Sequence, residues 1–200
     1  MAFLPTGYKI PDTGGRYFKP KKGENKVRIL TEPIIGYEAW DKRGEKAKPI
    51  RADKDDKEGI EELHRISALQ ENDDDKRVKH FWAMVIYNYD ESAIQIWEIP
   101  QATIQEALVT LSEDGDWGDP RGYGIKINKT GDGKDTKYAV LPSPKSKLPA
   151  ALVAKQAETP VNLQALFAGE DPFELEASPA PATVSADDGP DEEEVDDIPF

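Results

Sequence analysis

Residues 79–100 read KHFWAMVIYNYDESAIQIWEIP and contain two apolar runs, 81–87 and 93–99, on either side of the polar segment Asp90-Glu91-Ser92. Two runs rich in Val, Ile, Trp and Tyr around a short polar turn predict an antiparallel β-hairpin. Because side chains alternate along a strand, residues 81, 83, 85 and 87 share one face, and residues 82, 84 and 86 share the other. Both faces are apolar, so either protein covers both of them or one face offers aromatic rings to a ligand.

The apolar side chains of this hairpin are divided between a core and a binding face. We expect Phe81, Tyr87 and Trp97 to offer stacking faces, because Gln95 shares a face with Trp97 and makes that face less apolar. The core is predicted to take the more apolar set, Trp82, Met84, Ile86, Ile94 and Ile96. A register error of one residue exchanges the two faces.

Charge is distributed unevenly along the 200 residues. The formal net charge of −13 belongs to residues 156–200, which hold 13 acidic residues and no Lys or Arg. Residues 1–51 carry 12 basic residues against 6 acidic ones, and residues 121–147 carry 7 against 2. Local fields on the folded part are therefore expected to be basic although the bulk charge is negative.

Cysteine is absent, which excludes disulfides and thiolate metal sites and fits a reducing compartment. The sequence contains no run of about 18 apolar residues and no secretory h-region. We therefore expect a soluble cytoplasmic protein that has no membrane partner.

The remaining segments alternate between strand and helix patterns. Residues 53–75 are acidic and have a helical spacing at Ile60, Leu63 and Ile66, and a second amphipathic helix is predicted after Pro100. Short apolar pieces at 152–157 and 161–168 indicate two short helices. Outside the central hairpin, the predicted strands are 16–19, 25–30, 34–40, 121–128 and 135–141.

These elements predict a mainly β fold with inserted helices. Short strands in hairpins favour a small barrel of the OB type, in which one sheet face and the loops bind oligonucleotides, and a β-sandwich is the alternative. We expect an OB-fold-like core over residues 1–150, which includes the acidic helical insertion at 53–75. A linker with short helices follows at 151–169. Residues 170–200 are rich in Pro, Ala, Asp and Glu and are predicted to be a disordered acidic tail.

Aromatic and basic residues are interleaved on the predicted strands and at their turns. Nonspecific binding of single-stranded nucleic acid needs this combination, since phosphates require dispersed positive charge and unpaired bases require ring faces. The alternative is that the rings belong to the core and the basic residues to an ordinary surface. The candidate DNA-binding residues are Arg16, Tyr17, Phe18, Lys19, Lys21, Lys22, Arg28, Trp40, Lys42, Arg43, Lys76, Arg77, Lys79, Phe81, Tyr87, Tyr89, Trp97, Tyr123, Lys126, Lys129, Lys134, Lys137 and Tyr138.

The C-terminal residues 187–200 read DDGPDEEEVDDIPF. Acidic runs usually solubilise a protein, but this one ends in Ile198, Pro199 and Phe200. Phe200 can fill an apolar pocket, its carboxylate can meet a base, and Asp196 and Asp197 can steer the peptide toward a basic rim. The ending predicts a peptide that docks on partner proteins.

Apparent enzyme signatures in the sequence are incomplete. The segment around Gly131 and Lys134 differs from a phosphate-binding loop, which requires Ser or Thr where Asp135 stands. His64 and His80 are sixteen residues apart with no Cys, so no zinc site is indicated. We predict no catalytic residues, no metal and no cofactor.

The order of motifs resembles the single-stranded DNA-binding proteins of T-even phages and their relatives. It consists of Gly15-x-x-Phe18-x4-Gly23-x-Asn25-x-Val-Arg-Ile-Leu30, the basic cluster at 76–79, a strand opened by Trp82-Ala83, a helix and a closing hairpin. The resemblance covers roughly residues 15–142. It implies an OB-fold core that lays single strands along a basic, aromatic cleft, and an acidic tail for partners.

One departure from that family concerns its zinc module, whose place is taken here by the cysteine-free insertion 53–75. Any role of the module, including cooperativity, is therefore not implied for this chain. The Asp-Asp-Ile-Pro-Phe ending is similar to that of bacterial single-stranded DNA-binding proteins, whose tails dock repair and replication enzymes. The combination implies a phage-type or mobile-element protein that acts in the bacterial host cytoplasm.

We therefore expect a non-enzymatic, helix-destabilising protein that coats single-stranded DNA during replication, recombination or repair and recruits partner proteins through its tail. An adaptor whose core binds protein and whose tail mimics nucleic acid is the alternative. A nuclease or nucleotide-binding enzyme is disfavoured because no catalytic constellation is complete.

Overall fold

The computed structural model describes residues 15–44, 46–71 and 76–174. The predicted disorder of the tail and the docking residues Asp196, Asp197, Ile198, Pro199 and Phe200 lie outside the described residues, except for the first positions of the tail, 170–174.

Seven strands and four helices make up the described part of the chain. The strands are β1 (Gly23–Ile29), β2 (Ile34–Asp41), β3 (Lys48–Asp53), β4 (Lys79–Asn88), β5 (Ala93–Ile99), β6 (Tyr123–Thr130) and β7 (Lys137–Lys145). The helices are α1 (Lys57–Ala68), α2 (Ala102–Glu113), α3 (Ala150–Glu158) and α4 (Ala165–Ala168).

Strand β4, from the segment that opens the sequence analysis, is the centre of one antiparallel sheet. Along one edge it pairs first with β2 and then with β1, and β5 occupies its other edge. The sheet runs β3-β2-β4-β1-β6-β7. The path β5-β4-β1-β6-β7 within it is antiparallel throughout. The mainly β prediction is confirmed, and the sheet is open rather than closed into a barrel.

The first predicted hairpin, between residues 16–19 and 25–30, does not form. Tyr17 instead makes a parallel bridge to Ile96 of β5. The Phe18 amide donates to the Ile96 carbonyl at 2.8 Å, and the Ile96 amide donates to the Arg16 carbonyl at 2.9 Å. The segment therefore covers the free edge of β5 and brings Tyr17 and Lys19 beside that strand.

Asn25 fixes the turn that leads into β1. Its side-chain oxygen accepts the Lys21 amide at 2.8 Å, and its amide group donates to the carbonyls of Lys21, Gly23 and Ile127 at 2.8, 3.0 and 3.1 Å. Gly23 has φ of 96°, a conformation that glycine adopts without steric cost. The Gly-x-Asn part of the motif therefore has a structural role.

Both faces of the β4–β5 hairpin are buried. One face packs beneath α2 in a core that includes Met84, Ile86, Trp97, Ile99 and Leu108. The other face packs in a second core formed by Phe81, Ala83, Val85, Tyr87, Ile94 and Ile96 together with Leu152, Leu163 and Leu166. The predicted face assignment is therefore wrong for β5. Trp97 lies opposite Met84, whereas Ile94 and Ile96 lie opposite Tyr87 and Val85.

Residues 148–173, here called the C-terminal cover, lie on that second face. Helices α3 and α4 confirm the two predicted short helices, and their leucines are buried against the sheet. Gly36 allows this close packing, since a Cβ there would lie 2.6 Å from a ring carbon of Phe167. The sequence analysis treats 151–169 as a linker, whereas the structure gives these residues a place in the core.

The acidic insertion contains the predicted helix, α1, and is preceded by an unpredicted strand, β3. The Asp56 side chain caps α1 by accepting the Gly59 amide at 2.9 Å. Leu63 packs with Ala39 of β2 and Ala52 of β3 in a third, smaller core. The insertion thus extends the sheet next to β2 and places β3 near the binding residues described below.

Candidate nucleic-acid interface

A groove of about 640 Å³ crosses one end of the sheet. Its walls come from the segment before β1, from β2 and β3, and from the adjoining ends of β4, β5, β6 and β7. The residues that line it are Tyr17, Phe18, Lys19, Pro20, Glu38, Trp40, Pro49, Arg51, Lys79, Glu98, Pro100, Gln101, Lys129 and Tyr138.

Of the four aromatic residues that line this groove, three are at least partly exposed. Tyr17 is 38% exposed and Trp40 is 39% exposed, whereas Tyr138 is half-buried. The Trp40 indole N–H donates to Glu38 Oε1 at 3.1 Å, which fixes the orientation of the indole. Tyr17 and Trp40 are therefore the two groove aromatics that are exposed enough for a base to reach.

Three lysines accompany these rings. Lys129 is the cross-strand neighbour of Tyr138, and its ammonium donates to the Pro20 carbonyl at 3.3 Å. Lys79 begins β4 and lies opposite Glu38. Lys19 follows the bridge between Tyr17 and β5. These positions disperse positive charge along the groove instead of concentrating it at one point.

The floor of the groove is a buried ion-pair cluster. The Arg51 side chain is 8% exposed and contacts Glu38 at 2.7 Å and Glu98 at 2.8 Å. Its guanidinium carbon lies 5.3 Å from the centre of the Phe81 ring. Burial raises the pKa of Glu98 above its ordinary value, although the charge of Arg51 opposes the shift. The pKa of Tyr17 is raised as well, first by burial and then by the charge of Glu98.

The charged groups that line the groove sum to a positive value. Three lysines and Arg51 stand against two glutamates, so the formal charge is +2 when all of these groups are ionised. The groove thus combines open rings, dispersed ammonium groups and an excess of positive charge.

The structure brings together only some of the predicted DNA-binding residues. Those that line the groove are Tyr17, Phe18, Lys19, Trp40, Lys79, Lys129 and Tyr138. Phe18 is buried and packs edge-on against Trp97 with ring centres 5.6 Å apart, so it supports the groove from below.

Four other predicted aromatic residues are buried in the two cores, and the proposal that they stack on bases is wrong for this conformation. They are Phe81, Tyr87, Trp97 and Tyr123. The physical reason is that both faces of the central hairpin and the inner face of β6 are covered by other parts of the chain.

Several predicted basic residues are held in ion pairs outside the groove. Arg16 pairs with Asp171, Lys21 with Glu91, Lys22 with Asp132 and Arg43 with Asp41. The hydrogen bond from Arg43 holds the pKa of Asp41 well below its usual range. Lys42, Lys76, Arg77, Lys134 and Lys137 are exposed and do not line the groove. Arg28, Tyr89 and Lys126 lie on another face of the sheet.

The sequence analysis missed the residues of the groove floor. Arg51 and Glu38 are cross-strand partners on β3 and β2, and β3 was not predicted. Glu98 comes from the end of β5, so the cluster joins three strands that are far apart in the sequence. Opposite charges at alternate positions of strands are the only local indication of such a cluster.

The described part of the chain has neither a metal-binding cluster nor a membrane-spanning helix. Residues 15–44, 46–71 and 76–174 contain no group of three or more His, Cys, Asp or Glu side chains placed to hold a metal ion. In the same residues, no helix has the length and apolar character needed to cross a membrane.

Comparison with known proteins gives no assignment. No family model matches the chain, and neither the curated proteins nor the solved structures contain a match to it. The function must therefore be inferred from the groove and from the pattern of the sequence.

Proposed function

We propose that the protein binds single-stranded DNA in the groove between Tyr17, Trp40 and Tyr138 and thereby coats exposed strands in replication, recombination or repair. The observation that carries this proposal is that open aromatic rings and dispersed lysines line the same groove. Unpaired bases offer ring faces, and their backbone offers regularly spaced negative charges, so the ligand and the groove are complementary.

Each part of the groove has a role in this proposal. Bases stack on Tyr17 and Trp40, which are open to solvent, and the lysines contact phosphates. The Glu38–Arg51–Glu98 cluster holds the floor in one shape and adds little net charge. Stacking accepts any base because every base has a π-face, so we expect little sequence preference. The acidic tail is proposed to recruit partner proteins.

The first experiment measures anisotropy of a labelled dT oligomer together with tryptophan fluorescence. Trp40→Ala is expected to weaken binding by ~1–3 kcal/mol because one stacked base loses its ring. Trp40→Phe keeps a ring and should retain most of the affinity but lose most of the tryptophan quenching. Trp117→Phe is the matched control, because Trp117 packs against Tyr123 and does not line the groove.

The second experiment measures the salt dependence of the same binding. Three phosphate contacts predict a slope of log K against log[salt] of roughly −2, since each contributes about −0.7. Lys129→Gln should make the slope less steep by ~0.7, whereas Lys57→Gln on α1 should leave it unchanged. Absence of dT binding at low salt, or wild-type affinity in Trp40→Ala, contradicts the proposal. Absence of dT binding would favour a protein-binding adaptor instead.

A further inference from the structure

We propose that a second phosphate-binding site lies on the outer face of β1 and β6, beside the buried guanidinium of Arg28. The site is a pocket of about 280 Å³ that shares no residue with the groove. Its polar lining comes from Lys26 of β1, Tyr89 after β4, Gly124 and Lys126 of β6, and Ser143 and Ser146 at the end of β7 and beyond it.

Arg28 lies behind the wall of this pocket, beside the lining residues Ser146 and Gly124, and lacks a counterion. It is 3% exposed, and its two terminal nitrogens donate to the hydroxyl and the carbonyl of Ser146 at 3.2 and 2.8 Å. Its Nε has no hydrogen-bond partner, and the guanidinium makes no ion pair with a carboxylate in residues 15–44, 46–71 and 76–174. A buried charge without a partner is costly, so an anion that reaches it is bound favourably.

The other buried arginine of the sheet shows what Arg28 lacks. The Arg51 side chain is also largely inaccessible, at 8% exposed, but two glutamates contact it, at 2.7 and 2.8 Å. Arg28 has only the neutral Ser146. An arginine fork donates well to phosphate oxygens, and serine hydroxyls complete the donor set that such a ligand needs.

Gly124 leaves space for a ligand next to Arg28. The two residues are register partners on β6 and β1, so Arg28 stands beside a position that has no side chain. A Cβ at Gly124 would lie 3.6 Å from the Ser143 side chain, an ordinary contact distance. The fold therefore tolerates alanine here, and the added methyl group would occupy the pocket.

The lysines at the pocket keep much of their charge available. Lys26 and Lys126 both approach Glu24, each at 3.5 Å, and all three side chains are exposed to solvent. Asp90 is a second acidic group near Lys26, and its carboxylate accepts the Lys26 amide at 3.3 Å. Three cations against two carboxylates leave a positive excess, and loose exposed pairs of this kind contribute little energy. A phosphate can displace Glu24.

The ligand is a phosphate group, which is supplied either by a nucleic-acid backbone or by free phosphate. Only the nucleic-acid source rests on the proposed function. In that case Tyr89, which is exposed beside the pocket, offers a ring to a base. A strand that leaves the groove would then be held at a second point on the molecule, which lengthens the bound segment.

The first test titrates inorganic phosphate into the full chain at constant ionic strength and follows the backbone amides by NMR. We expect saturable shifts at Gly124, Ser143 and Ser146. Lys26→Gln combined with Lys126→Gln should weaken binding at least tenfold, and Gly124→Ala should also weaken it. Lys57→Gln combined with Lys134→Gln removes the same charge elsewhere and should bind as wild type. Absence of saturable shifts, or wild-type binding by the Lys26 and Lys126 variant, overturns the site.

The second test separates the two sources of phosphate. It compares a dT oligomer that only fills the groove with a longer one. With DNA as the source, the Lys26 and Lys126 variant should lose several-fold affinity for the longer oligomer alone. If the protein binds phosphate and the Lys26 and Lys126 variant binds the longer oligomer as tightly as the wild type does, free phosphate is the ligand of the site. If no dT oligomer binds, the groove proposal fails, and the phosphate titration still decides the site.

Discussion

The central hairpin and the groove use the same kinds of residue for different purposes. Trp97 on the hairpin is 1% exposed, whereas Trp40 near the end of β2 is 39% exposed. Both are tryptophans on strands, and both are candidate DNA-binding residues in the sequence, so position on a strand does not separate them. The difference is that α2 and the C-terminal cover pack on the two faces of the hairpin, whereas Trp40 belongs to none of the three cores and keeps 39% of its surface exposed. A ring therefore becomes available to a ligand through the absence of a covering element.

Removal of the C-terminal cover is expected to have the largest effect, because it should lower the free energy of unfolding more than any other change considered below. A protein ending at residue 147 loses Leu152, Leu163 and Leu166, each worth ~1.5–3 kcal/mol when buried. The sum, about 5–9 kcal/mol, approaches the whole stability of a typical domain. A protein ending at residue 174 keeps the cover and is the matched control. Equal urea midpoints for the two truncations would show that the cover does not stabilise the sheet.

The two tryptophans should respond oppositely to alanine. Trp97→Ala removes a ring packed in the main core and should lower the free energy of unfolding by ~3–5 kcal/mol. Its folded fraction should bind dT nearly as well as wild type. Trp40→Ala should change the free energy of unfolding by less than ~0.5 kcal/mol, since Trp40 lies at the surface outside the three cores. Urea denaturation of both variants gives the free energies of unfolding, and dT titration gives their affinities. If Trp97→Ala abolished binding and left stability intact, the two roles would be reversed.

The acidic tail is expected to compete with DNA for the groove. Phe173, near the end of the described residues, contacts Tyr17 of the groove edge with ring centres 6.5 Å apart, so the tail starts beside the groove. Three exposed ion pairs with groove lysines, each ~0.2–1 kcal/mol, give about 0.6–3 kcal/mol of competition. Deleting residues 187–200 should tighten dT binding by this amount at low salt and also abolish partner docking.

Deleting only Phe200 is the matched control for the tail. A new terminal carboxylate replaces the old one, so dT affinity should stay at the wild-type value while docking on partner proteins fails. Measurements of dT affinity at low and high salt, with a tail-dependent pull-down, separate the two functions. Unchanged docking after the Phe200 deletion would leave the tail as a solubilising segment only. The gain in dT affinity that follows deletion of residues 187–200 should become smaller as added salt screens the charges.

The titration of Glu98 is expected to have the smallest effect on stability and on dT affinity. Its pKa is raised in the fold, so the folded protein binds more protons than the unfolded chain between the ordinary and the raised value. Its contribution to stability is therefore complete below the ordinary glutamate pKa and is lost as pH rises through the raised value. Protonation also removes a negative charge from the groove, so dT binding should tighten over the same range as pH falls.

Glu98→Gln tests this behaviour, because glutamine keeps the shape and removes the titration. We expect it to flatten the pH dependence of dT binding and to change affinity at neutral pH by less than ~1 kcal/mol. Glu61→Gln on the exposed side of α1 is the control and should keep the wild-type profile. A Glu98→Gln protein whose pH profile matches the wild type would exclude this residue as the titrating group.

Much of the architecture was predictable because it depends on local patterns. The β4–β5 hairpin, α1, α2, the β6–β7 hairpin and the two short C-terminal helices all follow from periodicity and turn residues. Two local predictions failed. Residues 16–19 pair with β5 instead of β1, because strand pairing is settled by neighbours distant in sequence. The strand predicted at 135–141 runs on to Lys145, so Pro142 and Pro144 lie within β7, at the edge of the sheet where a missing donor is tolerated.

The sequence by itself determined most of the helices and strands, the separation of a formally neutral core segment from an acidic tail, and the abundance of rings and lysines. Only the tertiary structure decided which of those rings a ligand can reach. Tyr17, Trp40 and Lys129 come from three distant segments that the sheet places around one groove, whereas Trp97 and Tyr87 are covered by α2 and the C-terminal cover. The physical reason is that a side chain's exposure depends on what packs against its face, and periodicity along one strand carries no record of that partner.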